Sequence, residues 1–163
     1  MPSYLLRSAI AALACAAASA FAQPSPITIS GAWVRATVPG QGGTGAFMTL
    51  QSPQTLELVG ASTPVAGVAQ VHAMKLEGNT MHMQHLPALA LPAHQSVTLT
   101  PGGNHIMLMD LKQPLAAGST IAITLQLKDA AGVAVTQTLQ VPVLKQAAPA
   151  GAAPAAAHGH HGS

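Results

Sequence analysis

Between residues 27 and 145 the chain breaks into short runs of strand-forming residues, each ended by glycine, proline, asparagine or serine. Runs of this kind at spacings of about 8–12 residues mark an antiparallel sandwich or barrel. Strands are expected over residues 27–37, 45–51, 55–62, 69–76, 80–85, 96–100, 105–111, 120–127 and 133–143. The period is plain in Thr120-Ile121-Ala122-Ile123-Thr124-Leu125-Gln126-Leu127. Alternate residues of a strand share a face, so Ile121, Ile123, Leu125 and Leu127 fall on one side. Glu77-Gly78-Asn79 suits a tight hairpin turn, because glycine and asparagine accept positive φ at little cost, and Asp129-Ala130-Ala131-Gly132 suits another. No segment sustains a helical period of about 3.6 residues; at most residues 114–118 form one helical turn. An all-β chain is expected.

The first 22 residues are organised differently. Residues 1–7 include Arg7, residues 8–18 are apolar or small, and Ala18-Ser19-Ala20-Phe21-Ala22 ends in small residues. A basic start, an apolar run of about 10–12 residues and an A-x-A site make a secretory signal peptide. That run falls short of the about 20 apolar residues that cross a bilayer. Cleavage is expected after Ala22, with Ala20 as the rival position, leaving an exported protein without a membrane anchor. The single cysteine, Cys15, lies inside this leader and is expected to be removed with it. Lipid attachment at Cys15 is the alternative, but Ala12-Leu13-Ala14 fits a lipoprotein cleavage box poorly. Without Cys15 the exported chain has no thiol, which removes disulfides, thiolate metal sites and cysteine catalysis together.

Residues 23–145 suit one domain with one core. Residues 146–163 turn to alanine, proline and glycine and end His158-Gly159-His160-His161-Gly162-Ser163. Such a segment cannot bury enough apolar surface to offset its ordering entropy, so a flexible tail is expected. Residues 39–45 (PGQGGTG) are read as a flexible loop; the Lys-Ser/Thr ending and following helix of a phosphate cradle are missing. Past the leader, Arg35, Lys75, Lys112, Lys128 and Lys145 face Glu57, Glu77, Asp110 and Asp129, and the aromatic rings are those of Trp33 and Phe47. Nucleic-acid binding has no footprint in so thin and mixed a charge set.

What the chain does have is eight histidines and seven methionines. In His105-Ile106-Met107-Leu108-Met109, a strand would turn His105, Met107 and Met109 one way and Ile106 and Leu108 the other. Alone, this segment reads as an apolar strand whose methionines fill gaps in a core. The pattern recurs, however, in His72-Ala73-Met74 and in Met81-His82-Met83-Gln84-His85, on two runs joined by the turn at Glu77-Gly78-Asn79. Core packing accounts for one such segment more readily than for three. Thioether sulfur is soft and neutral; it favours Cu(I) and is a poor partner for magnesium, calcium or zinc, whereas imidazole suits copper in either oxidation state. A set of two imidazoles and two thioethers would need no carboxylate, and only Glu77 and Asp110 lie near in sequence.

Ten residues separate His72 from Met83, twenty-one separate Met83 from His105, and one separates His105 from Met107. This H-x10-M-x21-H-x-M arrangement, with VHAMKLEGNTMHMQHL and PGGNHIMLMDLKQPLAAG around it, resembles the periplasmic copper chaperones of the PCu(A)C family over roughly residues 27–145. The resemblance implies a cupredoxin-like antiparallel β-sandwich of Greek-key type, a single domain acting as a monomer. It implies Cu(I) held by His72, Met83, His105 and Met107 in a partly exposed site at one edge. It further implies a periplasmic protein that passes copper to the CuA centre of cytochrome c oxidase, with a Sco-like protein or a CuA domain as acceptor. Met74 and Met109 stand beside ligand positions as secondary thioethers or as packing, and His82, His85 and His94 read as surface histidines. The tail histidines His158, His160 and His161 could take Cu(II) or Zn(II), since imidazole tolerates harder ions.

Other classes fit less well. The sequence has no nucleophile beside a His/Asp pair, no paired carboxylates and no histidine at the expected mature terminus, so an enzyme is not expected. A blue-copper electron carrier needs a cysteine ligand, which the exported chain lacks. The runner-up is a copper storage or resistance protein that uses the same ligands and keeps the ion.

Overall fold

The structure is a computed structural model and describes residues 27–146. The leader with Cys15 and the tail with His158, His160 and His161 lie outside the described residues.

Ten strands follow in chain order: β1 (Thr28–Arg35), β2 (Gly43–Gln51), β3 (Leu56–Ser62), β4 (Ala66–Glu77), β5 (Thr80–His85), β6 (Leu89–Leu91), β7 (Ser96–Leu99), β8 (His105–Leu111), β9 (Thr120–Asp129) and β10 (Ala134–Leu144). No helix forms among the described residues. Where one helical turn was allowed, the chain makes a turn closed by Ser119 N–H donating to the Ala116 carbonyl at 3.2 Å. The strand beyond the nine expected is β6, three residues held between Pro87 and Pro92 and paired with β3 through Leu56–Leu91 and Leu58–Leu89. The expected flexible loop over residues 39–45 is also shorter than read, because Gly43, Thr44 and Gly45 already belong to β2 and pair with β8.

Turn chemistry sets the hairpin that matters most for function. β4 and β5 are joined by two residues, Gly78 and Asn79, with Glu77 paired to Thr80 and Gly78 at φ 62°. Glycine meets that positive φ without the Cβ clash any other side chain would bring.

The strands run β5-β4-β8-β2-β1-β10-β9-β3-β6, with β7 paired to β2. All pairings between strands are antiparallel except β1 with β10, where Val34 and Arg35 lie beside Val143 and Leu144 in parallel. Two halves meet at this join. From one half, Val34, Ala46, Met48, Leu50, Val71, Ile106 and Leu108 enter a single hydrophobic core; from the other come Leu56, Leu58, Ile121, Ile123, Leu125, Leu127, Val141 and Val143. Strands that each turn one face into a shared core stack as a sandwich. The alternation expected in β9 is found, with Ile123 and Leu125 fully buried.

Candidate metal centre

The inward residues of three strands determine what their other face carries. Val71 of β4 and Ile106 and Leu108 of β8 are buried in the core. Period two therefore turns Gln70, His72 and Met74 of β4, and His105, Met107 and Met109 of β8, to the outer face. β5 is the terminal strand of the sheet path, and its pairing with β4 adds Met81, Met83 and His85 to that face. Register then aligns individual residues. His72 lies opposite His105 on one side and His85 on the other; Met74 lies opposite Met83, and Gln70 opposite Met107.

The four residues singled out by spacing thus share one face of three neighbouring strands. Met83, His105 and Met107 line a pocket of about 280 Å³ together with Met74, Phe47 and Arg35. His72 is not on that lining but stands beside it, its ring centroid 6.0 Å from that of His105. Although both histidines are on the outer face, His72 is 9 % and His105 6 % exposed, while Met83 on the edge strand is 50 % exposed. Met109 lies further along β8, opposite Val68 and Gly43, and is not on the pocket lining. His82 faces the other way, opposite Lys75, as expected. His94, at φ 61°, sits by Ser52 at a separate pocket.

Each buried imidazole is anchored through one nitrogen. His105 Nδ1–H donates to the Gly103 carbonyl at 2.9 Å, inside a turn closed by Thr100 N–H bonding the Asn104 carbonyl at 2.8 Å. A carbonyl can only accept, so this bond leaves the His105 Nε2 lone pair available. His72 Nε2 contacts Gln70 Oε1 at 3.3 Å, and its Nδ1 is buried with no hydrogen-bond partner among the described residues. A buried, unpaired polar nitrogen costs about 1–3 kcal/mol, and a metal ion would satisfy it. Histidines that ligate metals usually donate their other N–H to a carbonyl in this manner. Among the described residues no carboxylate lines the pocket; the acid closest along the hairpin, Glu77, is exposed and sits 3.4 Å from Lys75 Nζ. Two neutral nitrogens and neutral thioethers suit a soft monovalent ion and leave a hard divalent one poorly neutralised.

Sequence reasoning missed the floor of the site. Gly43 and Gly45 lie opposite Met109 and Met107. A Cβ on Gly43 would come within 3.0 Å of both Met107 Cε and the Leu108 carbonyl, and one on Gly45 would meet Phe47 Cζ at 2.6 Å. The two glycines therefore make room for the Met107 thioether and for the Phe47 ring. Phe47 stacks on Trp33 with centroids 4.7 Å apart, lies 6.2 Å from the His105 ring and carries the Arg35 guanidinium 5.7 Å above it. Gly43→Ala is expected to weaken Cu(I) binding by about 10–100-fold, the range for groups that orient a ligand. A competition titration with a Cu(I) chelator measures this, and an unchanged affinity would mean that Met107 needs no such seat.

Burial, and after it the neighbouring His105 and His85, lower the pKa of His72 below its ordinary 6.5. The unfolded chain then takes up the His72 proton at a higher pH than the folded chain does. Well above pH 6.5 the group is neutral in both states and contributes no pH dependence. Below it the unfolded state binds more protons, so stability falls with pH until folded His72 is protonated too. Melting of the metal-free chain should accordingly lose less stability on acidification in His72→Ala than in the parent, and equal losses would contradict this.

Comparison with known proteins gives a consistent result. A family model described as "Putative lipoprotein LpqE-like" matches residues 27–143. A protein of Leifsonia xyli subsp. xyli named "Putative lipoprotein Lxx21020" is 36% identical over 124 residues, covering 74% of this chain and 71% of its own. The solution structure of CuI-DR1885 from Deinococcus radiodurans is 39% identical, covers 80% of this chain and 86% of its own, and superposes with a TM-score of 0.59. The copper-bound PCuAC domain from PmoF2, at 23% identity, covers 75% of this chain and 95% of its own with a TM-score of 0.59. The fold is that of PCuAC domains, cupredoxin-like as the family resemblance implied.

Proposed function

The chain belongs to the LpqE-like family, and on that premise we propose that it is an extracytoplasmic copper chaperone that binds Cu(I) through His72, Met83, His105 and Met107. The observation that carries the reading is the pair of anchored imidazoles. His72 Nδ1 and His105 Nε2 are left with free lone pairs on the face where Met83 and Met107 line a pocket. The copper named in the structures of CuI-DR1885 and the PmoF2 domain supports the same cargo here. Met74, opposite Met83 and on the same lining, is the secondary thioether we favour over Met109.

Delivery rather than storage is supported by exposure. Half of Met83 is exposed on β5, which ends the sheet path among the described residues, so an acceptor can reach a thioether while the buried histidines still hold the ion. The proposed acceptor is a CuA domain of cytochrome c oxidase or a Sco-like protein, in the periplasm, with no enzymatic step on this chain. Lipoprotein names among the relatives support export. Intact mass of the exported protein separates cleavage after Ala22, which we propose, from lipid attachment at Cys15. The tail histidines His158, His160 and His161 are proposed to gather Cu(II); removing residues 158–163 should then lower Cu(II) stoichiometry, and an unchanged stoichiometry would end that part of the proposal. The main test is anaerobic mixing of the Cu(I)-loaded chain with an apo CuA domain. Rapid appearance of copper in the acceptor is expected, and retention by this chain would make it a sequestering protein instead.

A further inference from the structure

His85 looks like a surface histidine in the sequence, yet the two-residue turn of the β4–β5 hairpin sets it directly opposite His72. Their ring centroids are 5.9 Å apart in an edge-on arrangement, and those of His72 and His105 are 6.0 Å apart. His72 is therefore shared by two imidazole pairs on adjacent strands, an inner pair with buried His105 and an outer pair with exposed His85. With metal–nitrogen bonds of about 2.0–2.1 Å, two imidazoles on one ion stand with centroids no more than roughly 6.5 Å apart. Both pairs are already within that span. Because His72 belongs to both pairs, an ion held by one pair can move to the other without leaving His72.

We propose that His85 and His72 form an outer exchange station for Cu(I), through which the ion passes to and from the inner site. The proposal rests on His72 and His105 being copper donors, as argued above. An ion arriving from solvent first meets the exposed His85 on β5, the terminal strand among the described residues. It then bridges to His72, and it gains His105 and the thioethers as it lets His85 go. His72 remains a ligand throughout, so the ion is never stripped of all protein donors. No electron or proton need be exchanged; only donor atoms are replaced. Met83, on the same strand face two residues from His85, is positioned to accompany the ion through the exchange.

A relay ligand has a kinetic signature that an equilibrium ligand lacks. It lowers the barrier in both directions, so removing it slows loading and release by the same factor and leaves the dissociation constant alone. In the full chain, His85→Ala is expected to slow Cu(I) uptake from, and release to, a Cu(I) chelator roughly tenfold, with affinity held within about threefold. His94→Ala, another exposed histidine at a remote position, should change neither rate. Unchanged rates in His85→Ala would overturn the proposal, and so would faster release with weaker affinity, which would make His85 a ligand of the resting site. Failure of the parent reading looks different: the unsubstituted chain would lack tight Cu(I) binding, or His72→Ala would leave that affinity intact, and the exchange station would fall with it.

Discussion

Met107→Ala is expected to weaken Cu(I) binding by more than the roughly 10–100-fold that loss of an orienting group causes, while Cu(II) binding changes far less. The side chain lies on the pocket lining with His105 and is seated against Gly43. Alanine would leave a void there and no donor. The asymmetry follows from ligand softness: a neutral thioether stabilises Cu(I) and adds little to a Cu(II) centre that imidazole already suits. Met83→Ala should behave alike, with a smaller loss where Met74, directly opposite, can take its place. Competition titrations with a Cu(I) and a Cu(II) chelator, on a chain whose tail histidines are replaced by alanine, measure both affinities. Equal losses for the two ions would remove the soft-donor argument.

Leu108→Ala, one residue along the same strand, should do the reverse. Leu108 is fully buried, and its register neighbours are Thr44 of β2 and Ala69 of β4. Truncating a fully buried leucine costs about 2–5 kcal/mol through lost transfer energy and the cavity left behind. Against a total stability of about 5–15 kcal/mol, the melting temperature should drop on the order of 10 °C. Below the transition the copper donors are untouched, because they occupy the opposite face of β8, and Cu(I) affinity should stay within about threefold. Thermal melts and the same titration check the two halves of this expectation. A loss of copper affinity in the folded variant, or a cost under about 1 kcal/mol, would contradict the division of β8 into a core face and a donor face.

That division could be read in the sequence because a strand has period two and β8 carries the period from His105 to Met109. The same holds for β9 and for the β4–β5 hairpin, where Gly78 marks the turn. Even the approach of His85 to His72 was within reach. Counting back from the two-residue turn pairs them, but an exposed histidine gave no reason to count. β6 escaped notice because three residues between two prolines carry too little pattern to outweigh the breakers. Gly43 read as part of a loop because glycine has no propensity for strands; its use appears only once β8 lies alongside and Met107 needs the space, while Gly45, read as the junction of loop and strand, leaves room for the Phe47 ring. The parallel contact of β1 with β10 joins residues from opposite ends of the domain, and no local signal encodes it. The anchoring of His72 and His105 through one nitrogen each likewise depends on where Gln70 and the Gly103 carbonyl come to rest.

The central claim is the donor set, and X-ray absorption at the copper edge addresses it directly. On the full chain loaded anaerobically with one equivalent of Cu(I), the account predicts a mixed shell of two sulfur and two nitrogen neighbours, with one sulfur lost in Met107→Ala. A shell of nitrogen alone, or a sulfur signal unaffected by replacing both Met83 and Met107, would contradict it.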